Sequence, residues 1–506
     1  MIGLLVVSSI PSGLTQDEPP IAVALGHIPV ESAQAAYEGD IPALKQFYSK
    51  RQYQPLWTNG TRLNPAGETV MLELTGAAEE GLNPEDYLIG PIAVRTAKND
   101  SVSAAELDVL VSLAVVRYAQ AVGWGVTIPS EVDRDNFYDR RVFDPAAVLQ
   151  RVAEAQDPGA ALRAFEPQTF VYRELKQALA ELRAIQGSGT WTPISSGPTL
   201  KMGDSGSRVA EVRGALIARG DLAATAAGSM TFDNELVTAL KRFQYRHGLT
   251  EDGVCGSGVI SEINVPVTTR IQQVRLAMER LRWLPPLSSG RRIAVNLADF
   301  RVYLFDGDSI TFETAAVVGK RYHETPMFTA SMTYVVINPY WNVPTSITRA
   351  EIMPKIKADP QYLAKNHMEM NGGVVRQLPG PWNSLGRFKF MFPNSHNIYL
   401  HDTPSRTLFS LADRAFSHGC VRLQKPAELA EVLLKAQGWT SERIQATVAG
   451  GQQTVITLDQ PIPVSITYVT AFRTPDGLLH YTRDVYGRDA KLVAALQKRS
   501  QGSWEE

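Results

Sequence analysis

A change of hydrophobic period near residue 291 constrains this chain more than any other feature. Upstream, apolar residues recur at three- and four-residue steps, as in "SVSAAELDVLVSLAVVRYAQAV", where Leu107, Leu110, Val111 and Val115 would share one helix face. Downstream, "RRIAVNLADFRVYLFDGD" alternates β-branched and aromatic residues with polar ones, the pattern of half-buried strands. One bundle or one sandwich cannot satisfy both periods, so the chain reads as multidomain α+β. Its 506 residues fit that division, since domains run to roughly 100–200 residues each. The net charge of −2 leaves no electrostatic footprint for nucleic acid or anionic lipid. No segment is apolar for the roughly 18 residues that a membrane-spanning helix needs.

The opening "MIGLLVVSSIPSGLTQDEPP" reads as the tail of a secretory signal, assigned to residues 1–26. It lacks the basic n-region, which places the expected start upstream of Met1. Residues 27–195 read as a helical scaffold, with Trp57 as a core residue. "GSGTWTPISSGPTL" is a linker. A compact helical unit follows over 196–266, with Val209, Val212, Leu216, Leu236, Leu240 and Phe243 at helical spacing. Cys255 within it reads as a small buried hydrophobe. A connecting helix is expected over 267–290, its stripe formed by Ile271, Val274, Met278 and Leu281 and its arginines forming a solvated face. The β-rich domain spans 291–497, with a helical insertion at about 340–385 and a tail over 498–506.

Chemistry concentrates in one place. Cys420 is one of only two cysteines, and it stands in "SHGCVR" downstream of "YLHDTP". His396, His401 and His418 fall within the same short stretch. A cysteine is a nucleophile only as its thiolate, and a nearby base or cation supplies that. His401 is a base available at neutral pH, with an unperturbed pKa near ~6.5. If that value holds, acylation falls as pH drops below it. His418 reaches the same face as Cys420 in an extended segment. Gly419 permits close backbone approach. Free amides around Gly419 and Cys420 form a candidate oxyanion hole. Arg422 reads as a receiver of substrate carboxylate or a support for the loop.

From these residues alone three readings stand: a thiol acyl-transfer site, a zinc site built from Cys420, His401, His418 and Asp402, and a polar turn with an incidental thiol. Zinc is disfavoured because C-x-x-C and H-E-x-x-H are absent. A Cys255–Cys420 disulfide is left open. No nucleotide or dinucleotide loop is present, and no cofactor is expected.

The spacing adds a resemblance. His401, fifteen residues, then Ser417-His418-Gly419-Cys420-Val421-Arg422 is similar to the signature of the L,D-transpeptidases, the YkuD-like catalytic domain. "GDSGSRV", "LKRFQYRHGL" and "DGVCG" resemble the type 1 peptidoglycan-binding domain. "VVGKRYHETPMF", "INPYWNVPTSITRAEIMPKIKADPQYL" and "RDVYGRD" resemble the large periplasmic, YcbB-type branch. The resemblance implies a helical scaffold, a three-helix peptidoglycan-binding domain, and a β-sandwich or open-barrel catalytic domain with a capping insertion. It implies 3→3 cross-linking between diaminopimelate residues through a cysteine thioester, with release of D-alanine from a tetrapeptide donor. By position, Cys420 would be the nucleophile, His401 the base, and the Asp402 carbonyl the group orienting the imidazole. Ser417, His418 and Gly419 would shape the loop, and Tyr399 would join the oxyanion site. Tyr340 and Trp341 are donor-groove candidates, and the insertion a candidate lid. Partners would be stem peptides and glycan strands, with a lipoprotein lysine or other wall-synthesis enzymes also allowed; the location would be the periplasm. The same residues would also serve an L,D-carboxypeptidase or endopeptidase, and a silent wall-binding scaffold is the non-enzymatic alternative.

Overall fold

The computed structural model describes residues 18–28, 40–98, 100–139, 141–286, 290–475 and 477–499. Most of the expected signal segment, the start of the first expected helix and the end of the tail lie outside the described residues. The described residues up to Val126 together with those of 141–167 form one compact unit, and the described residues of 127–139 and 168–496 form a second.

The first unit is helical. Pro20–Gly26 is already part of it, with Ile21, Ala24 and Leu25 buried. Its centre is α1 (Ser101–Trp124), capped by Asp100, which accepts the Ser103 amide at 2.8 Å. Leu107, Leu110, Val111 and Val115 are buried, but so are most residues around the whole circumference. A helix covered on all sides belongs to the middle of a domain. The polar Asp108 survives there because its carboxylate is fully engaged. It accepts the amides of Leu56, Trp57 and Thr58 at 2.7–3.0 Å and the Tyr48 hydroxyl at 2.6 Å. Trp57 is fully buried beside it, its indole N–H donating to Ser112 at 2.8 Å.

The second unit begins, after Thr127–Asp139, with α2 (Phe170–Ser188). A small module follows, built from α3 (Ser207–Ala218), α4 (Asn234–Arg246) and α5 (Ser257–Ile263). Val209, Leu216, Phe232, Leu240, Phe243 and Cys255 are its fully buried centre. Next comes α6 (Val267–Trp283), which packs with α2 against the C-terminal strands through Tyr172, Leu179, Val274, Met278, Tyr303 and Phe472. The sequence grouped α2 with the N-terminal helices; in the fold it is the partner of α6.

The expected solvated arginine face of α6 is overturned. Arg270, Arg275, Arg280 and Arg282 are each at most 5% exposed. The helix lies between neighbours on both sides, so its charges are paired in place of being hydrated. Arg270 meets Glu262 and Arg280 meets Asp489, each at 2.5 Å. Glu279, also buried, accepts from the amide and hydroxyl of Thr127 at 2.8 Å.

The sheet contains β1 (Arg292–Asn296), β2 (Arg301–Asp306), β3 (Ser309–Gly319), β4 (Phe328–Ile337), β5 (Phe388–Met391), β6 (Leu400–His401), β7 (Ala415–Ser417), β8 (Val421–Leu423) and β9 (Thr454–Thr467). Their spatial order is β7-β3-β8-β6-β5-β4-β9-β1-β2, and β2 also pairs with β3. The sheet therefore closes on itself, with β7 branching off β3. Closure removes the exposed edges that an open sheet would leave. Ile293, Val302, Leu304, Val335, Phe390, Leu400 and Val421 fill one side of it. Between β4 and β5 an insertion forms its own three-stranded sheet from Trp341–Asn342, Met368–Asn371 and Val374–Gln377. It has a separate small core around Val343, Ile352 and Val375.

Candidate active site

Strand register builds the site. β6 pairs in parallel with β8, with Leu400 opposite Val421 and His401 opposite Arg422. β5 pairs with β6 on the other side, with Phe390 opposite Leu400 and Lys389 opposite His401. Alternation then sorts the side chains. Phe390, Leu400, Val421 and Leu423 go into the core, all fully buried. Lys389, Tyr399, His401, Cys420 and Arg422 share the opposite face. A one-residue slip of β6 would send His401 into the core, so the hydrophobic pattern of the strands also fixes the polar face.

His401 is 5% exposed, and its Nδ1 lies 2.5 Å from the Asp402 carbonyl oxygen. Donation from Nδ1 to a carbonyl leaves Nε2 as the free acceptor. Burial, the Arg422 guanidinium and the Lys389 ammonium together push the imidazole down to about 3. The ring is therefore neutral at physiological pH. The Asp402 carboxylate is turned away to the amides of Arg387 and Thr403, each at 2.7 Å, and to the Arg406 guanidinium. Gly386 makes room for it, since a Cβ there would meet the Asp402 carboxyl.

Cys420 is half-buried, and its thiol faces the Asn397 carbonyl at 3.7 Å. Burial raises its pKa, opposed by hydrogen bonding from the Tyr399 backbone and side chain and by the charges of Lys389 and Arg422. The resting pair is thus thiol and imidazole, both uncharged. Tyr399 is raised as well, by burial first and then by Cys420.

The loop is held by bonds that do not involve the reacting atoms. Ser417 Oγ donates to the Cys420 carbonyl at 2.6 Å and accepts the Gly419 amide at 3.1 Å. Gly419 has φ +113°, a conformation open to glycine. Its carbonyl accepts the hydroxyl of Thr325 at 2.7 Å, and Thr325 Oγ1 in turn accepts the Gly319 amide at 3.0 Å. The fully buried Thr325 was missed from sequence because it lies far upstream of the motif. The expected pair of oxyanion amides is corrected here. The Gly419 N–H is committed to Ser417, whereas the Cys420 N–H has no acceptor among the described residues.

His418 turns outward to the insertion, its Nε2 3.3 Å from Glu351 and its ring 5.4 Å from that of His323. Tyr340 lies under the Arg376 guanidinium at 4.2 Å. Trp341 packs on the insertion's own core. Neither makes a hydrogen bond or ring contact with residues 399–422 among the described residues. Cys255 and Cys420 are both free thiols. The groups weighed for zinc face separate partners, and among the described residues no three His, Cys, Asp or Glu side chains are grouped to hold a metal ion. Lys389, which the sequence reading did not single out, stands 4.0 Å over the Tyr399 ring.

Family comparison meets this geometry in the β-rich domain. Residues 290–455 match the model described as "L,D-transpeptidase catalytic domain". This stretch is similar to the L,D-transpeptidase catalytic domain. A "Scaffold domain" model matches residues 42–179, and a "Putative peptidoglycan binding domain" model matches 205–262, the module of α3, α4 and α5. The chain is 35% identical over 245 residues to a Haemophilus influenzae protein named "Putative L,D-transpeptidase". That match spans 44% of this chain and 49% of the relative, so the chain covers about half the relative's length. A solved L,D-transpeptidase fragment from Xylanimonas cellulosilytica is 14% identical with a TM-score of 0.19, covering 54% of this chain and 98% of its own. L,D-transpeptidase 3 from Mycobacterium tuberculosis, solved with a faropenem-derived adduct, is 10% identical with a TM-score of 0.19, covering 35% and 60%. At those TM-scores neither superposition bears on the fold. Among the described residues, no helix is long and apolar enough to cross a membrane.

Proposed function

We propose that the protein is a cysteine acyltransferase that forms 3→3 cross-links between peptidoglycan stems. The observation that carries this reading is the β5-β6-β8 register, which sets Cys420 and His401 on one face with Nε2 of the imidazole free.

Cys420 Sγ attacks the carbonyl of diaminopimelate at the third position of the donor. His401 Nε2 takes the thiol proton as the S–C bond forms. Because both groups rest uncharged, charge separates only as the thiol reacts, when Tyr399, Lys389 and Arg422 favour the sulfur anion. The Cys420 amide and the Tyr399 hydroxyl support the oxyanion of the tetrahedral intermediate. Collapse breaks the C–N bond, and the imidazolium returns its proton to the departing D-alanine amine. The thioester keeps the acyl group activated, so no nucleotide is consumed. The side-chain amine of a second stem then attacks the thioester, gives its proton to His401, and expels the Cys420 thiolate. His401 passes a proton back to that sulfur. The insertion, held at Glu351 to His418, acts as the cover that keeps water out of the second step. The peptidoglycan-binding module presents wall strands to the domain, which places the work outside the inner membrane.

The test is incubation of the purified protein with tetrapeptide muropeptides and mass analysis of the products. Dimers that form with wild type and not with Cys420→Ala support transpeptidation. Free tripeptides without dimers would replace it with hydrolysis on the same scaffold.

A further inference from the structure

His401 is flanked across the sheet by two cations. Lys389 stands opposite it on β5 and Arg422 opposite it on β8, so one row runs Lys389, His401, Arg422. The Lys389 ammonium leans over the Tyr399 ring at 4.0 Å, toward the neighbouring row that holds Tyr399 and Cys420. Both cations are half-buried. Neither has a carboxylate partner among the described residues. Asp402, the acid nearest in sequence, is already satisfied by Arg406, Arg387 and Thr403. Among the described residues, the one group that would act on either cation as an anion is Cys420, once its thiol has lost the proton. Two partly desolvated charges around an uncharged thiol and an uncharged imidazole leave an unbalanced positive face. Elsewhere in this unit several buried cations are paired with carboxylates: Arg270 with Glu262, Arg280 with Asp489, Arg246 with Asp221.

The reaction offers one group that fits. In the donor, the residue to be expelled carries a free carboxylate two bonds from the scissile nitrogen. It lies within about 3.8 Å, one residue's length, of the attacked unit. We propose that Lys389 and Arg422 form a carboxylate subsite that reads the free C-terminus of the expelled residue and so restricts the enzyme to the last peptide bond of the donor. This inference rests on the acyl-transfer reading above. It has a second consequence. The cations hold His401 weakly basic while the site is empty. A bound carboxylate offsets their field, so the base strengthens when the correct donor arrives. Departure of the expelled residue then restores the positive face, which favours the thiolate as leaving group in the second step.

The experiment compares two donors, a tetrapeptide with a free terminal carboxylate and the same peptide amidated at that terminus. It uses the full chain as wild type, Lys389→Met and Lys389→Arg, with a melting curve for each. Acyl-enzyme formation on Cys420 is followed by mass. Wild type is expected to favour the free acid by roughly tenfold or more in kcat/KM, the scale of a charge-assisted contact. Lys389→Met should lower both rates, because Lys389 also favours the sulfur anion, but the free acid by the larger factor, so that the preference collapses; Lys389→Arg should keep most of the preference. Equal rates for the two donors in wild type, or an equal fall for both in Lys389→Met, would overturn the subsite while leaving acyl transfer standing. Absence of any Cys420 adduct with either donor would instead overturn the acyl-transfer reading, and the subsite with it.

Discussion

The two cysteines are found in regions that treat a thiol in opposite ways. Cys255 is fully buried in the small helical module among Leu200, Val209, Leu240 and Ile260, and burial lifts its pKa to about 11. Cys420 also has its pKa raised, again by burial. A resting thiolate therefore does not distinguish them. What differs is the neighbourhood: Cys420 shares a sheet face with an uncharged imidazole, a tyrosine hydroxyl and two cations, and Cys255 shares none of these. On the proposed reading, reactivity comes from a place for the proton to go and a field that welcomes the anion once it forms.

The largest expected effect comes from deleting one thiol and then the other. Cys420→Ala should lower acyl transfer by at least about 10⁴-fold, the scale for loss of a nucleophile. Cys255→Ser should leave the rate unchanged and cost about 1–3 kcal/mol of stability by burying a hydroxyl, read from denaturant melts. A Cys255→Ser enzyme that lost activity without losing stability would break the contrast.

Next is His401. His401→Gln should reduce acylation by about 10²–10⁴-fold. The depressed imidazole also changes the pH expectation drawn from sequence. With a folded pKa of about 3, the base stays unprotonated well below the ordinary value of 6.5. The acid limb of kcat/KM, which reports the free enzyme, should therefore lie far below 6.5. The limb in kcat should sit higher if a donor carboxylate offsets Lys389 and Arg422. For stability the sign is fixed by which state binds the proton first. The unfolded chain takes it near 6.5 and the native state only near 3, so stability is lost as pH falls from 6.5 toward 3. His401→Gln should flatten that loss in melts across the same interval.

A smaller effect is expected at Thr325. Thr325→Val removes the donor to the Gly419 carbonyl and the acceptor of the Gly319 amide together. Leaving those groups unmet costs about 1–3 kcal/mol. It should lower kcat by roughly tenfold with Cys420 still alkylated by iodoacetamide, a readout that separates a displaced loop from a lost nucleophile. Smallest is Glu351→Gln. Both partners of the His418–Glu351 pair are substantially exposed, at 38% and 47%. Exposed pairs contribute about 0–1 kcal/mol, so KM for the acceptor stem should change by no more than about fivefold.

Local patterns were legible in the chain, and cross-strand partners were not. The core positions of α3 and α4, Val209, Leu216, Leu240 and Phe243, follow directly from helical spacing. The proposed reacting pair was visible because His401 and Cys420 lie in one short polar stretch. Lys389 carried no such mark: its stretch reads as turn-rich, and its place appears only when β5 is registered against β6. Thr325 reaches Gly419 from across 94 positions of sequence. The arginines of α6 looked solvated because amphipathicity assumes one buried face, and the packing of α2 against this helix supplied a second. Trp341, a donor-groove candidate from sequence, packs on the insertion's core, a placement that needs Val343 and Val375 around it.

The most direct measurement is intact-protein and peptide mass analysis after brief mixing with a tetrapeptide donor near neutral pH. The account predicts a tripeptide thioester on the peptide containing Cys420, none on that containing Cys255, and loss of the adduct on addition of an acceptor stem. A donor consumed with no acyl group ever found on Cys420, or an equal acyl load on Cys255, would contradict it.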